Sequence, residues 1–353
     1  MNKPRILVMT AAGKTGMPIA LQLLREGFPV TAFVRQNDSR SESLRARGAD
    51  IVVGSLTDIN DMRRAMKGVQ RAYFCTPFSE SNLKTASVFV AVVAEHPLES
   101  VTVMSQWLAN PNHPSVHTRE VWLSDQLLSL LPGTTVTFIN PGFFADNDLQ
   151  TLPFVAQVGL LPVPYGEGLN APPSNEDIAR VAAEILARPD GHAGKRYRPT
   201  GPTLLSPYDL AAIFSKVFGH NVRYINMPGW VFAKVAKGMG QSDYTIAQYL
   251  QYVLDYQHNA FAVNAPTDVI QEITGRAPED FETIVRRYVA NNPNSTRRFT
   301  KQLELLLMMN IWMLLPGPKL TAHLRKQEFS EQAHIALSSY SSAWLNSHQP
   351  QTS

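Results

Sequence analysis

The chain is poor in the features that would place it in several common classes. It has one cysteine, Cys75, so an internal disulfide is excluded and a reducing compartment is expected. Its charges nearly cancel: 32 Lys and Arg against 29 Asp and Glu leave a net +3, too little for a nucleic-acid footprint. No apolar run reaches the roughly 18 residues that a membrane-spanning helix needs. No His, Cys, Asp and Glu set has metal-ligand spacing, so no metal is expected. The first residues, MNKPR, lead into an apolar run with no signal-peptide pattern. The expectation is a soluble cytoplasmic protein with no nucleic-acid partner.

What is present is material for a core: 44% hydrophobic against 17% charged residues in a chain of 353. That length suits one large or two coupled domains. Over the first 145 residues short apolar runs alternate with amphipathic segments. The runs RILVMT (5–10), FPVTAFVR (28–35), DIVVG (50–54), QRAYFCT (70–76), SVTVMS (100–105) and TTVTFINPG (134–142) predict six strands. Helices are predicted between them, including a polar one over about 41–47 and one over 119–131. This alternation predicts an α/β protein with a doubly wound parallel sheet of the Rossmann type. In such sheets ligands bind beyond the carboxyl ends of the strands.

Residues 146–290 predict a smaller α/β substrate-binding part, built partly back onto the first. Its opening stretch, 146–164, reads as Pro-rich loop. SNEDIARVAAEIL (174–186) and SPYDLAAIFSKVFG (206–219) each begin with a capping serine and an aspartate three residues on. KRYRPTG (195–201) and VRYINMP (222–228) read as strands. Residues 291–353 predict a linker, a helical extension and a disordered tail over 346–353.

The stretch ILVMTAAGKTG (6–16) passes from strand to a loop with Gly13 and Gly16, then to a helix with Pro18 in its first turn. Gly13 lets the backbone approach a diphosphate, and Gly16 lets the helix pack on the strand. The free N–H groups of a helix N-terminus suit the anion. Thr10 stands where a further glycine is usual. Ala12, Lys14 and Thr15 complete the loop, and Thr76 ends the fourth strand beside it. At the end of strand 2, where an acid would take a ribose hydroxyl, stands Arg35, with Arg40 a second candidate. An arginine there fits the 2′-phosphate of NADP, which favours NADP(H) over NAD.

These residues resemble the NmrA-like group of atypical short-chain dehydrogenases over about residues 5–290. AAGKTG is similar to the group's glycine-rich loop. VVGSLTD (52–58) is similar to its third-strand ending, which implies that Asp58 lies near the adenine. INPGFFADN (139–147) resembles its Arg-Pro-Gly-x-Phe-x-Glu-Asn, with Asn140 and Asp146 replacing the charged pair. SNEDIA and TGRAPEDFETIV resemble later landmarks. The resemblance implies Ser105 as the group that holds a substrate oxygen. His117 falls where many relatives carry tyrosine, and Val121 where they carry lysine. No Tyr-x-x-x-Lys lies near, so the usual proton relay is missing, and His117 or water is left to supply a proton. The same resemblance leaves two expectations open. One is an NADPH-dependent reductase of a small aromatic or conjugated carbonyl compound such as a quinone. The other is a non-catalytic NADP-binding redox sensor.

Trp107, Phe143, Phe144 and Tyr165 follow strands 5 and 6 and are candidates for a substrate pocket, with core packing the competing role. Cys75 reads as a small buried hydrophobe rather than a reactive thiol. The Leu/Met segment 303–315 is flanked by Arg297, Arg298, Lys301 and Lys319. It is expected to pack on the protein's own body or on a second copy in a homodimer, with contact at a membrane surface the alternative.

Overall fold

A computed structural model describes residues 3–292, 295–324 and 335–348. The first part of the chain runs β1 (Ile6–Val8), α1 (Gly16–Arg25), β2 (Val30–Val34), α2 (Ser39–Arg45), β3 (Asp50–Val53), α3 (Ile59–Met66), β4 (Arg71–Phe74), α4 (Asn82–Glu95), β5 (Ser100–Met104), α5 (Val116–Ser129) and β6 (Thr135–Ile139). It continues through α6 (Ala145–Leu149), α7 (Leu152–Val158), β7 (Leu160–Val163), α8 (Asn175–Ala187), β8 (Arg196–Tyr197), α9 (Pro207–Phe218), β9 (Arg223–Asn226), α10 (Gly229–Gly238), α11 (Asp243–Gln257), α12 (Val269–Thr274) and α13 (Phe281–Ala290). The extension carries α14 (Phe299–Leu314), α15 (Leu320–Leu324), a 3-10 turn (Ser338–Tyr340) and α16 (Ser342–Ser347).

Seven strands form one sheet in the order β3-β2-β1-β4-β5-β6-β8, each pair parallel. The order reverses between β1 and β4, which opens a crevice at their carboxyl ends. Strand β1 shows why the sheet is covered on both faces. Ile6 and Val8 face a core that includes Ile19 and Leu23 of α1 and Val181 and Ile185 of α8. Leu7 and Met9 face the opposite core, with Met62 of α3, Phe89 of α4 and Leu128 of α5. A period of two with apolar residues on both sides is the mark of a doubly covered parallel strand.

The predicted helix starts hold in detail. Ser206 and Asp209 form a reciprocal capping box at α9. Ser174 caps α8 by accepting from the Asp177 N–H, but the Asp177 carboxylate turns instead to Arg180 and to the Glu279 N–H. Several expectations move. The polar second helix begins two residues early, because Asp38 rather than a later residue caps it. The helix expected over 119–131 starts at Val116, where Ser115 accepts from the Thr118 N–H. The stretch 146–164, expected to be loop, holds α6, α7 and β7. Each is too short for its periodicity to register, and Pro153, read as a loop signal, sits in the first turn of α7, where proline is tolerated. The two strands expected in the second part separate. β8 joins the main sheet beside β6, whereas β9 pairs with β7 in a two-stranded sheet of its own.

In the extension, α14 seats only one stripe. Trp312, Leu305 and Met309 pack on Phe154 of α7 and on Val231 and Val235 of α10. Residues 335–348 then return to the body. Trp344 is buried, donates its indole N–H to the Trp107 carbonyl at 3.1 Å, and packs edge-on to the Trp107 ring. Of the tail expected to be disordered, Asn346 and Ser347 close α16, and residues 349–353 lie outside the described residues.

Candidate active site

The glycine-rich loop keeps its glycine geometry despite Thr10. Thr10 itself takes the left-handed conformation, φ +50°, that a glycine would fill. For an L-residue this costs about 1–2 kcal/mol. Its hydroxyl donates to the Met9 carbonyl at 2.7 Å, and its carbonyl accepts from the Gly13 N–H at 2.7 Å. A Cβ on Gly13 would lie 2.9 Å from the Thr10 oxygen, and one on Gly16 would overlap the Thr10 carbonyl. Both glycines are therefore required by the loop itself. Helix α1 has no acidic residue in its first turn and no side-chain cap, because the Thr15 hydroxyl faces the Tyr73 hydroxyl at 3.2 Å. An uncapped helix N-terminus behind a glycine turn at the sheet's reversal point fits a dinucleotide diphosphate.

The charges around the loop fall as follows. The Lys14 ammonium pairs with Asp146 at 2.6 Å, and Tyr288 donates to the other Asp146 oxygen at 3.1 Å, tying the loop to α6 and α13. Arg40 donates to the Ala12 carbonyl at 3.2 Å and pairs with Asp38, whose carboxyl it holds down at about 2. Arg35, just past β2, is exposed and has no ion pair among the described residues. Of the two candidates it is Arg40, the second, whose guanidinium contacts the loop. The Asp58 carboxylate accepts from the N–H groups of Asn60 and Asp61, which makes it the N-cap of α3. Thr76 donates to Asn82, which in turn donates to Ser124. Burial pushes the Cys75 thiol up, so it is not a thiolate.

Next to the loop lies a cavity of about 440 Å³. Its floor is the carboxyl edge of the sheet: Thr76, Met104, Ser105, Gln106, Pro141 and Gly142. Its walls come from Phe154 of α7, Phe232, Val235 and Ala236 of α10, and Tyr249 and Tyr252 of α11. Trp107, Phe143 and Phe144 line it as expected from the sequence. Tyr165 does not. It is fully buried behind Phe143 and stacked on Tyr256 at 4.3 Å. β7, unforeseen in the sequence, leads Tyr165 into the core it shares with Trp107 and Phe143, one layer behind the cavity wall.

Ser105 and His117 both line the cavity, but neither is set up as expected. The Ser105 hydroxyl donates to Asp125 at 2.7 Å and accepts from the Asn140 amide at 3.1 Å. Arg196 anchors the same Asp125 oxygen at 2.8 Å. A hydroxyl that gives its proton to a buried carboxylate has none to offer a substrate oxygen. His117 is buried against the Phe78 ring, with centroids 4.0 Å apart. Burial drives its pKa down to about 4, so it is neutral near pH 7 and acts through a ring N–H or lone pair, not as an imidazolium.

The residue that sequence reading missed is Gln106. It lines the cavity, and both polar atoms of its amide are buried with no partner among the described residues. The Nδ1 of His117 is in the same state. A buried, unpartnered amide is costly and rare, which marks it as a group waiting for a ligand. The one available signal was its position directly after Ser105 at the end of a strand.

A seven-stranded parallel sheet with a glycine loop at its reversal point defines a Rossmann-type dinucleotide-binding protein. The chain belongs to the NAD(P)H-binding family, whose model matches residues 10–189, and the model of the NmrA-like family matches residues 128–276. It is 26% identical over 292 residues to an NAD(P)H azoreductase of Xenophilus azovorans, covering 81% of this chain and 98% of that one. It is 27% identical over 278 residues to a (4-alkanoyl-5-oxo-2,5-dihydrofuran-3-yl)methyl phosphate reductase of Streptomyces griseus, covering 78% and 95%. Among solved structures, it resembles an NADPH-dependent quinone oxidoreductase of Escherichia coli in complex with NADPH, with a TM-score of 0.71, 20% identity, and coverage of 81% and 100%. A triphenylmethane reductase of Citrobacter sp. in complex with NADP(H) gives a TM-score of 0.68 at 17% identity, covering 80% and 99%. These structures share the fold.

Proposed function

We propose that this chain is an NADPH-dependent reductase of a flat, conjugated and largely apolar compound of the quinone or enone type. The observation that carries the reading is the largely apolar cavity, which shares its floor with the carboxyl edge of the sheet beside the glycine loop and holds the buried amide of Gln106 with no partner among the described residues. Gly13 and Gly16 would admit the diphosphate, and Arg35 and Arg40 would meet the 2′-phosphate. The bound cofactor supplies a hydride. Gln106 donates its amide N–H to the acceptor oxygen, where negative charge grows, and a dry site strengthens that bond. Neutral His117 offers a second N–H, and a proton from water completes the reduction at the acceptor oxygen. Ser105 is a positioning residue: through Asp125 and Asn140 it fixes the strand end that carries Gln106. Aromatic walls exclude water and hold a flat ring.

NADPH oxidation with a panel of quinones, enones and azo dyes tests this. Gln106→Leu should lower turnover about 10²–10³-fold with NADPH affinity unchanged. Unchanged turnover would remove Gln106 from the mechanism. The sensor reading keeps one observation in its favour: the Ser105 hydroxyl is already engaged. It becomes the better account if NADPH binds and none of the acceptors is reduced.

A further inference from the structure

Helix α14 presents an apolar face to solvent. Phe299 is 78% exposed, Leu303 and Leu307 61% each, and Leu314 87%. Leu306 and Ile311 extend the face, and among the described residues nothing covers it. Polar residues on the exposed side are few, and its only acid, Glu304, is paired with Lys301. At the N-terminal end stand Arg297 and Arg298, exposed and without an acidic partner among the described residues, and Lys319 lies past the C-terminal end. An apolar stripe with unpaired cations beside it matches an anionic lipid layer: the side chains enter the acyl boundary while the cations meet headgroups. A helix packed on a second protein surface has no need for free cations at its margin.

The cavity adjoins the buried stripe on the other side of this helix. Phe154 and Val235 line the cavity and also carry Trp312 of α14. Gly238 allows the approach, since a Cβ there would strike the Trp312 ring. The next residue, Met239, both lines the cavity and is exposed. The lipid-facing helix and one rim of the cavity are therefore a single piece of structure.

We propose that α14 docks the protein on an anionic membrane surface. Resting on the reductase reading above, the same placement assigns the substrate class: a conjugated carbonyl compound dissolved in the bilayer, delivered to the rim at Met239.

The test uses the full chain and two kinds of vesicle, phosphatidylcholine alone and phosphatidylcholine with phosphatidylglycerol. Co-sedimentation with the anionic vesicles is expected, and it should weaken as salt rises. Replacing Arg297 and Arg298 with Ser should reduce partitioning about 10- to 30-fold. Leu303→Ser with Leu307→Ser should abolish it while the melting temperature stays unchanged, because both side chains are exposed. Absence of binding to anionic vesicles overturns the proposal. So does a dimer in solution that the two Leu variants convert to monomer, since a second copy would then cover the face. Sedimentation needs neither cofactor nor turnover, so it stands if the reductase reading fails. If turnover is found, the two Leu variants should lose it on a long-chain quinone held in anionic vesicles and keep it on a water-soluble quinone. Equal loss on both would overturn the substrate assignment.

Discussion

The two ends of the cleft are built on opposite principles. The nucleotide end is made of backbone and charge: Thr10 in a strained turn, two glycines with no room for a side chain, an uncapped helix start, and two arginines at the margin. The substrate end is walled mostly by rings and aliphatic side chains, with Thr, Ser, Asn and Gln side chains set among them, and the buried amide of Gln106 has no partner among the described residues. The first end is specific for a ligand before the ligand arrives. The second is shaped chiefly to exclude water, and leaves chemistry to one or two groups. A cofactor common to many reactions needs the former, and an apolar substrate needs the latter.

This contrast is broken most severely at Gly16. Gly16→Val should abolish NADPH binding, because even a Cβ overlaps the Thr10 carbonyl, and should cost about 1–3 kcal/mol of stability through overpacking. Binding of an apolar fluorescent dye in the cavity should survive in the folded variant. Loss of both together would mean that the two ends are not separable. Next comes charge. Replacing Arg35 and Arg40 with Ala should weaken NADPH by about 1.5–3 kcal/mol and leave NADH nearly unchanged, as read by titration calorimetry. Equal losses for the two cofactors would remove the arginines from 2′-phosphate recognition.

The nucleotide end was legible in the sequence because it is contiguous. Residues 6–16 contain the strand, turn and helix start, and Arg35 lies one strand away. The substrate end draws on six separate stretches between Thr76 and Phe261, so no local pattern announces it. Trp107, Phe143 and Phe144 were found because they follow strand ends. Tyr165 was misplaced because, after β7, it packs behind Phe143 in the core they share and stacks on Tyr256. Helices α10 and α11, which wall the cavity, carry mixed aromatic and polar residues that say little about a pocket until they are packed. The bonding of Ser105 could not be read locally, since its partner Asp125 lies 20 residues on and Arg196 lies 71 residues beyond that.

A smaller effect sharpens the substrate side. Ser105→Ala should slow turnover less than about tenfold, well short of the loss a direct oxyanion donor gives. A loss as large as that of Gln106→Leu would restore Ser105 to the reacting centre. A last effect is on pH. Burial lowers the folded His117 pKa to about 4, below its usual 6.5, so the unfolded chain binds more protons between those values. Stability should therefore fall as pH drops from about 6.5 to about 4, and His117→Gln should flatten that part of the melting-temperature profile. Turnover between pH 6 and 8 should show no inflection from this residue.

The central claim is that a hydride leaves NADPH inside this apolar cavity. Stopped-flow mixing of the NADPH-loaded protein with a soluble quinone, using NADPH deuterated at the transferred position, tests it most directly. The account predicts cofactor oxidation that saturates with quinone, slows on deuteration, and is lost in Gln106→Leu with cofactor still bound. Tight NADPH binding, with oxidation no faster than in free solution for every quinone, enone and azo dye supplied, would contradict it.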